Sequence, residues 1–425
     1  MAKHTVYIGI MAIARHGGAG VKYGEQAPFY AKLMQVGRAR GVVVYTFAPR
    51  DVDWAHRVVW GRTYSPKLGG WVRRPYPLPG AVFNRYPAAA YNQHVLSTIR
   101  RLKDRGSPFV NSSFQDKYRL HRTLMRWPAL RPHLPQSRLC RGSAAPVLEL
   151  LRTYSSVYMK PVDGSLGSGV VRIRRLGGGR CHVAGRLKGG RISRIVPAAS
   201  LAAVVRRIAG SRRYMAQQGL TLDYLRGRTA DIRALVQRDG RGVWQITGMA
   251  LRVGASGSVT SNLHGGGRAV PVERALASHF GPARTRQIMV EVKRVLGLFV
   301  AAMEQSLGPM GELGMDLGVD AKGHVWYIES NPKPGRSILL HLHATRQRAL
   351  SISRPIDYAI YLARRGHNHN LPPPDFLGTG DDLPELGEPA QDADAAPAPA
   401  EQAPEPSPPQ QPVEPVAEES KEVAL

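Results

Sequence analysis

Between Gly311 and Gly335 the chain reads Gly-Glu-Leu-Gly-Met-Asp-Leu-Gly-Val-Asp-Ala-Lys-Gly-His-Val-Trp-Tyr-Ile-Glu-Ser-Asn-Pro-Lys-Pro-Gly. Two short runs, Met315–Val319 and His324–Ile328, flank the turn-forming Asp320-Ala321-Lys322-Gly323, which predicts a β-hairpin with a four-residue loop. If Val319 pairs with His324, Asp316 stands opposite Tyr327. The two-residue side-chain period then puts Asp316, Tyr327, Glu329 and Asn331 on one face. Asp316 and Glu329 become diagonal neighbours, about 7–8 Å apart. Two carboxylates and an amide oxygen in that arrangement suit a divalent cation such as Mg²⁺, which nucleotide sites hold by one or two carboxylates plus phosphates.

The plainer alternative is an ordinary hairpin with acids on its wet face. Asn331-Pro332-Lys333-Pro334-Gly335 weighs against it. These residues end the strand abruptly and leave Glu329 and Asn331 at a strand terminus, where α/β folds bind ligands.

A chain of 425 residues is long enough for two or three domains with their own cores. Cys140 and Cys181 lie far apart in sequence and no Cys or Cys/His spacing suits zinc, so reduced cysteines and a cytoplasmic setting are expected. No apolar run approaches the ~18 residues of a membrane span. Ala12-Ile13-Ala14 after Lys3 imitates a signal cleavage site, but the apolar segment before it is short and interrupted by Tyr7 and Gly9, as in a first core strand.

Charge is unevenly placed. From Leu371 onward there are 13 acids and one lysine, which leaves the preceding body at about +40. Such a surface implies anionic partners, among them nucleotides, acidic polypeptides or an anionic polymer. A coding bias toward arginine on solvated faces is the bland alternative. From about Gly366 the chain becomes a Pro-, Ala-, Glu- and Asp-rich segment without aromatics after Phe376, the composition of a disordered tail.

Thr5–Ile13 reads as a strand, Pro28–Arg40 as a helix and Val42–Phe47 as a second strand, an α/β beginning. Gly17-Gly18-Ala19-Gly20 lacks the GxGxxG pattern of a dinucleotide site. Ala81–Arg85, a helix over Asn92–Arg105 and Pro108–Asn111 continue the alternation to a boundary near residue 111. A helix then starts with Ser112 or Ser113 as cap and Lys117 near its N-terminus, a place that favours anions.

Ser156–Pro161 and Val170–Arg174 read as strands joined by Asp163-Gly164-Ser165-Leu166-Gly167-Ser168-Gly169. Backbone N–H groups of such a loop can close over phosphate oxygens, with Lys160 supplying a point charge. Most Gly-rich hairpin loops bind nothing, so this loop matters through its company. Tyr214–Leu220 is a strand leading to Asp223. Asp231–Val236 and Trp244–Arg252 form a pair of strands that can aim Arg233 and Arg252 at one site, although most arginines in so basic a chain are surface residues. Ser261-Asn262-Leu263-His264-Gly265-Gly266-Gly267 is a second Gly-rich segment, and Ala283–Leu307 an amphipathic helix.

Taken in order, Asp116-Lys117, Lys160 with its loop, Asp231-x-Arg233, Arg252, Asn262-Leu263-His264-x-Gly266-Gly267, Asp316 and Glu329-x-Asn331-Pro332-x-Pro334-Gly335 resemble the ATP-grasp superfamily. The Asp-Ile-Arg, Asn-Leu-His and Glu-Ser-Asn-Pro elements are most similar to its glutathione-synthetase-like and ribosomal-protein-glutamate-ligase-like branches. Over roughly residues 5–365 the chain resembles the YheC/YheD endospore coat-associated family.

That resemblance implies a mixed α/β architecture: an N-terminal pre-ATP-grasp domain over residues 1–111, a two-subdomain ATP-grasp domain over 112–365 and the acidic tail over 366–425. It implies ATP and Mg²⁺, two ions, as cofactors. Lys117 and Lys160 would contact the phosphates, with Lys160 also near the adenine and counted with Arg233 and Arg252 as catalytic, and Ser165, Gly167, Ser168 and Asn262 would belong to the same nucleotide site. Gln217, Gln218 and Leu220 match the hinge that reads adenine, where the family often carries an acid, and Asp223 matches the ribose position. Asp316, Glu329 and Asn331 match the metal ligands, and Arg233 and Arg252 the phosphate and acyl-phosphate contacts. The implied activity is ATP-dependent ligation of a carboxylate to an amine, the acceptor being an anionic peptide or polymer, in the cytoplasm or with the spore coat. A coat-associated binding protein with reduced catalysis is the rival. A nucleic-acid binder is disfavoured for want of a recognised module.

Overall fold

The computed structural model describes residues 5–17, 20–111, 116–164, 167–187, 190–225, 227–263, 266–365 and 386–390. Three sheets organise the body. The first is built from β1 (Tyr7–Met11), β4 (Val43–Phe47), β5 (Val52–Asp53), β6 (Val58–Ser65), β7 (Gly70–Pro77) and β8 (Ala81–Asn84), with β2 (Arg15–Gly17) and β3 (Gly20–Lys22) as a separate hairpin. Strand β1 is central and parallel to both β4 and β8, the signature of crossovers through α1 (Ala27–Ala39) and longer connections. Helix α2 (Gln93–Asp104) starts where Asn92 accepts a bond from the Val95 N–H, a side-chain cap of the usual kind. The long antiparallel hairpin β6–β7 has no counterpart in the expected α/β alternation, because Arg, Gly and Pro interrupt its apolar pattern.

The second sheet takes the order β13-β12-β11-β10-β14-β9, formed by β9 (Ser137–Cys140), β10 (Ser156–Pro161), β11 (Val171–Leu176), β12 (Arg180–Leu187), β13 (Gly190–Pro197) and β14 (Tyr214–Gln218). One face is apolar. Val157, Met159, Ile173 and Val183 pack there against Val147 and Leu150 of α4 (Ala145–Thr153) and Leu201 and Val205 of α5 (Leu201–Ala209). Helix α3 (Lys117–Met125) precedes this sheet. Its cap is Asp116, which accepts from the Arg119 N–H at 2.8 Å. Ser112 and Ser113, the expected caps, lie outside the described residues.

The third sheet is antiparallel, in the order β17-β16-β15-β18-β19. It comprises β15 (Ala230–Arg238), β16 (Trp244–Val253), β17 (Arg268–Val270), β18 (Glu312–Val319) and β19 (Val325–Asn331). Helix α6 (Val272–Leu307) covers its core face. It breaks at Gly281, whose φ of 74° only glycine adopts freely, and resumes at Pro282; the expected helix Ala283–Leu307 is its second segment. Phe299 of that segment stacks on Tyr327, centroids 4.4 Å apart and 5° from parallel. After the short α7 (Ser337–His341), helix α8 (Thr345–Arg365) buries Ile356, Tyr358, Ala359 and Leu362 against Ile8, Ile10 and Leu33 of the first sheet and α1.

The hairpin Glu312–Asn331 forms with a different register from the expected one. Val319 pairs with Val325, not His324, because the Asp320 carboxylate takes the N–H groups of Lys322 and His324 and draws both into the loop. A bulge between Asp316 and Leu317 then sets Asp316 directly opposite Glu329 and Gly314 opposite Asn331. The expected diagonal relation becomes a direct pair. Tyr327, expected beside Asp316, turns to the side of Leu317 and joins the core, though its edge still reaches the cavity between the second and third sheets. A bulge shifts side-chain parity by one, which an unbroken two-residue period cannot anticipate.

Candidate active site

The second and third sheets meet across a cavity of about 820 Å³, within the range that encloses a nucleotide-sized ligand. Register alone places its charged wall. On one face of the third sheet Asp231 pairs with Arg252 across β15 and β16, Arg233 with Asp316 across β15 and β18, and Asp316 with Glu329 across β18 and β19. Arg252 grips Asp231 with two bonds, 2.7 and 2.6 Å, and reaches Asp316 Oδ2 at 2.8 Å. Arg233 binds the same Asp316 carboxylate through Nε and Nη2. Asp231, Arg252 and Asp316 are all buried. Burial pushes the Asp316 pKa up, but the two guanidinium groups outweigh it and hold it at about 2. Arg252 is raised in turn by Asp231 and Asp316, against the desolvation that lowers it.

Facing this wall, Lys117 donates to Glu329 Oε2 at 2.6 Å from the first turn of α3. Lys160, on β10, donates to Gln217 Oε1 at 2.6 Å, and Gln217 passes a bond on to Ser137. Burial lowers the Lys160 pKa to about 8; Glu329 works against that shift and Lys117 with it. The cavity therefore holds Lys117, Arg233 and Arg252 with their carboxylate partners in the same small space, and Lys160 on an amide oxygen beside them. An anion can take the cations only if something else takes the carboxylates.

A family model described as YheC/D like ATP-grasp matches residues 106–362. The chain belongs to that ATP-grasp family. Endospore coat-associated protein YheD of Bacillus subtilis (strain 168) is 29% identical over 376 residues, 85% of this chain and 81% of the relative. Endospore coat-associated protein YheC of the same organism is 21% identical over 355 residues, 81% of this chain and 93% of the relative. Among solved structures, the VanG D-Ala:D-Ser ligase of Enterococcus faecalis aligns over 84% of this chain and 99% of its own, with 11% identity and a TM-score of 0.48.

In this member of the YheC/D-like family, Lys117, Lys160, Gly167, Gln217, Gln218, Leu220, Arg233, Arg252, Asn262, Asp316, Glu329 and Asn331 all line the one cavity. Gly167 adopts φ 73°, and a Cβ there would lie 2.4 Å from Asn262 Nδ2, so the Gly-rich loop and the Asn262 segment touch only because residue 167 has no side chain. Gln218 turns its Oε1 to the Gln136 N–H. Ser168 and Asp223 are not among the lining residues. Asp223 lies 3.9 Å from Arg172 instead. Ser165 and His264 are outside the described residues.

The donor set fits a hard cation. Asp316, Glu329 and Asn331 offer only oxygen ligands, in register on adjoining strands, beside cations suited to phosphate. Two carboxylates and an amide would leave part of a six-oxygen shell to water and phosphate oxygens.

Other lining residues were given no role of their own in the sequence. Asp231 was legible only as part of a motif, yet it is the carboxylate that fixes Arg252. His121 lines the cavity from α3, where burial and then Lys160 lower its pKa to about 4. Lys333, held between Pro332 and Pro334, reaches across to the Tyr86 carbonyl just after β8. Burial and then Arg85 lower its pKa to about 7. A cation between two prolines was the available signal.

Proposed function

We propose that the chain is an ATP- and Mg²⁺-dependent carboxylate–amine ligase that works through an acyl phosphate. The observation that carries this reading is the row Asp231–Arg252–Asp316–Arg233 with Glu329, on one wall of a cavity whose other wall presents Lys117 and Lys160. In this reading Lys160 and Lys117 hold the phosphates, while Gln217, Gln218 and Leu220 border the adenine. Asp316, Glu329 and Asn331 hold Mg²⁺, which supplies charge neutralisation at the phosphates when bound. The substrate carboxylate attacks the terminal phosphorus, ADP leaves, and an amine displaces phosphate from the acyl phosphate. Arg233 and Arg252, already fixed by Asp231 and Asp316, meet the negative charge that develops on the transferring group. Little covalent work falls to side chains; their part is position and field.

Residues 1–111 serve in this reading as the pre-ATP-grasp domain and 112–365 as the ATP-grasp body. The coat association of the two Bacillus subtilis relatives supports a similar setting here. The test is Mg²⁺-dependent ADP release across a panel of amino acids, acidic peptides and cell-wall precursors, followed by product mass. A condensation product, one water lighter than the summed substrates, supports a ligase. ADP release that no panel member stimulates, with no product of that mass, would count against it.

A further inference from the structure

Strand alternation sorts the second sheet into two faces, and the face that bears Tyr158 and Lys160 does not end at the cavity. Tyr158 pairs with Arg172, Arg172 with Ala184 and Ala184 with Ser193; one step along, Ser156, Arg174, His182 and Ile195 line up in the same way. Arg172, Arg174 and Arg186 thus share the Lys160 face, and Arg191 sits directly opposite Arg186 on the edge strand β13. Arg174, Arg186 and Arg191 are exposed, and Ile195 keeps 58% of its surface in solvent. The four strands β10 to β13 contain seven arginines, a lysine and no acid.

Arginines on an exposed edge strand can be explained as protection against edge-to-edge pairing. That account covers Arg191 and Arg194 on β13, but Arg174 and Arg186 stand on interior strands. Like charges directly opposite one another, as Arg186 and Arg191 are, lower the stability of an antiparallel pair. A face that keeps them, with no acid between, is built for an anion that arrives from outside.

We infer that the open face of β11–β13, continuous with the nucleotide cavity, docks an acidic peptide whose reacting group is thereby led into the cavity. This rests on the ligase reading and names its substrate class. Glu and Asp side chains pair with Arg174, Arg186 and Arg191, and Ile195 offers the apolar contact that a peptide can use. Nucleic acid fits less well, because single strands bind by stacking bases on aromatic rings, and β11 to β13 carry no Phe, Tyr or Trp.

The experiment is fluorescence anisotropy with a labelled Glu-rich dodecapeptide and the full chain, at rising salt, with no turnover required. A triple variant R174E/R186E/R191E is compared with R274E/R284E/R286E, which reverses three exposed charges on α6. Tenfold or greater loss in the first and less than threefold in the second supports the docking face. Equal losses would mean that only net charge is sensed and would overturn it, as would a labelled oligothymidylate that binds the same face more tightly. Calorimetric binding of ATP with Mg²⁺ by the triple variant separates this inference from the ligase reading, since none of the three arginines belongs to the nucleotide site.

Discussion

Asp316 and Glu329 face one another across β18 and β19, yet each is neutralised from elsewhere, Asp316 by Arg233 and Arg252 and Glu329 by Lys117. Two carboxylates at direct cross-strand positions repel, so this pairing holds only while cations stand beside it. The arrangement is a charge-balanced cluster into which, on the proposed function, a metal and a polyphosphate would be exchanged together.

Asp316 should show in the acid limb of stability. Its folded pKa of about 2 lies below the ordinary 3.8. The unfolded chain therefore binds the proton more readily, and the stabilisation is full above about pH 4 and lost as pH falls toward 2. Urea midpoints measured between pH 5 and 2 should fall more steeply for the native chain than for Asp316→Asn, which should start lower and run flatter.

Lys160 sets a basic limb on nucleotide affinity. With its pKa lowered to about 8 by burial, the ammonium proposed to meet phosphate is lost as pH rises through 8. The Kd for ATP with Mg²⁺ should rise several-fold between pH 7 and 9. Lys160→Arg, whose charge persists, should flatten that rise in calorimetric titrations, and Lys160→Met should show weak affinity throughout.

Asn111 binds the ends of the hairpin together. Its Oδ1 accepts from the N–H groups of Gly311 and Glu312 at 2.8 and 2.9 Å, and its Nδ2 donates to the carbonyls of Pro332 and Glu312. The side chain is buried, so Asn111→Ala leaves backbone donors unpaired at about 1–3 kcal/mol each. A loss of about 2–4 kcal/mol by urea denaturation is expected from this one site.

The legible parts were those where a local pattern and the tertiary outcome agree. Glu329 and Asn331 could be placed on one face because the two-residue period holds between them, beyond the bulge that sets Asp316 opposite Glu329, and Arg233 and Arg252 because they lie on strands with clear apolar runs. The partner of each was not legible. A bulge after Asp316 and the capture of two N–H groups by Asp320 reset the register by amounts no period encodes. Strand β13 escaped notice because Arg194 stands where alternation from Ile192 to Val196 would mark an apolar residue and Ile195 where it would mark a polar one, β12 because Ala184 and Gly185 blur the alternation of Cys181 and Val183 with His182, and α8 because its partners, Ile8, Ile10 and Leu33, lie over 300 residues away in sequence.

Glu329 offers the most direct test of the whole account, since it is half-buried at the cavity wall and can be changed to Gln without loss of shape. AMP-PNP should be titrated calorimetrically into the native chain and Glu329→Gln, with and without Mg²⁺. Tight binding is expected only to the native chain with Mg²⁺, weakened at least tenfold by the substitution or by removing the metal. Binding of equal strength in all four titrations would contradict it.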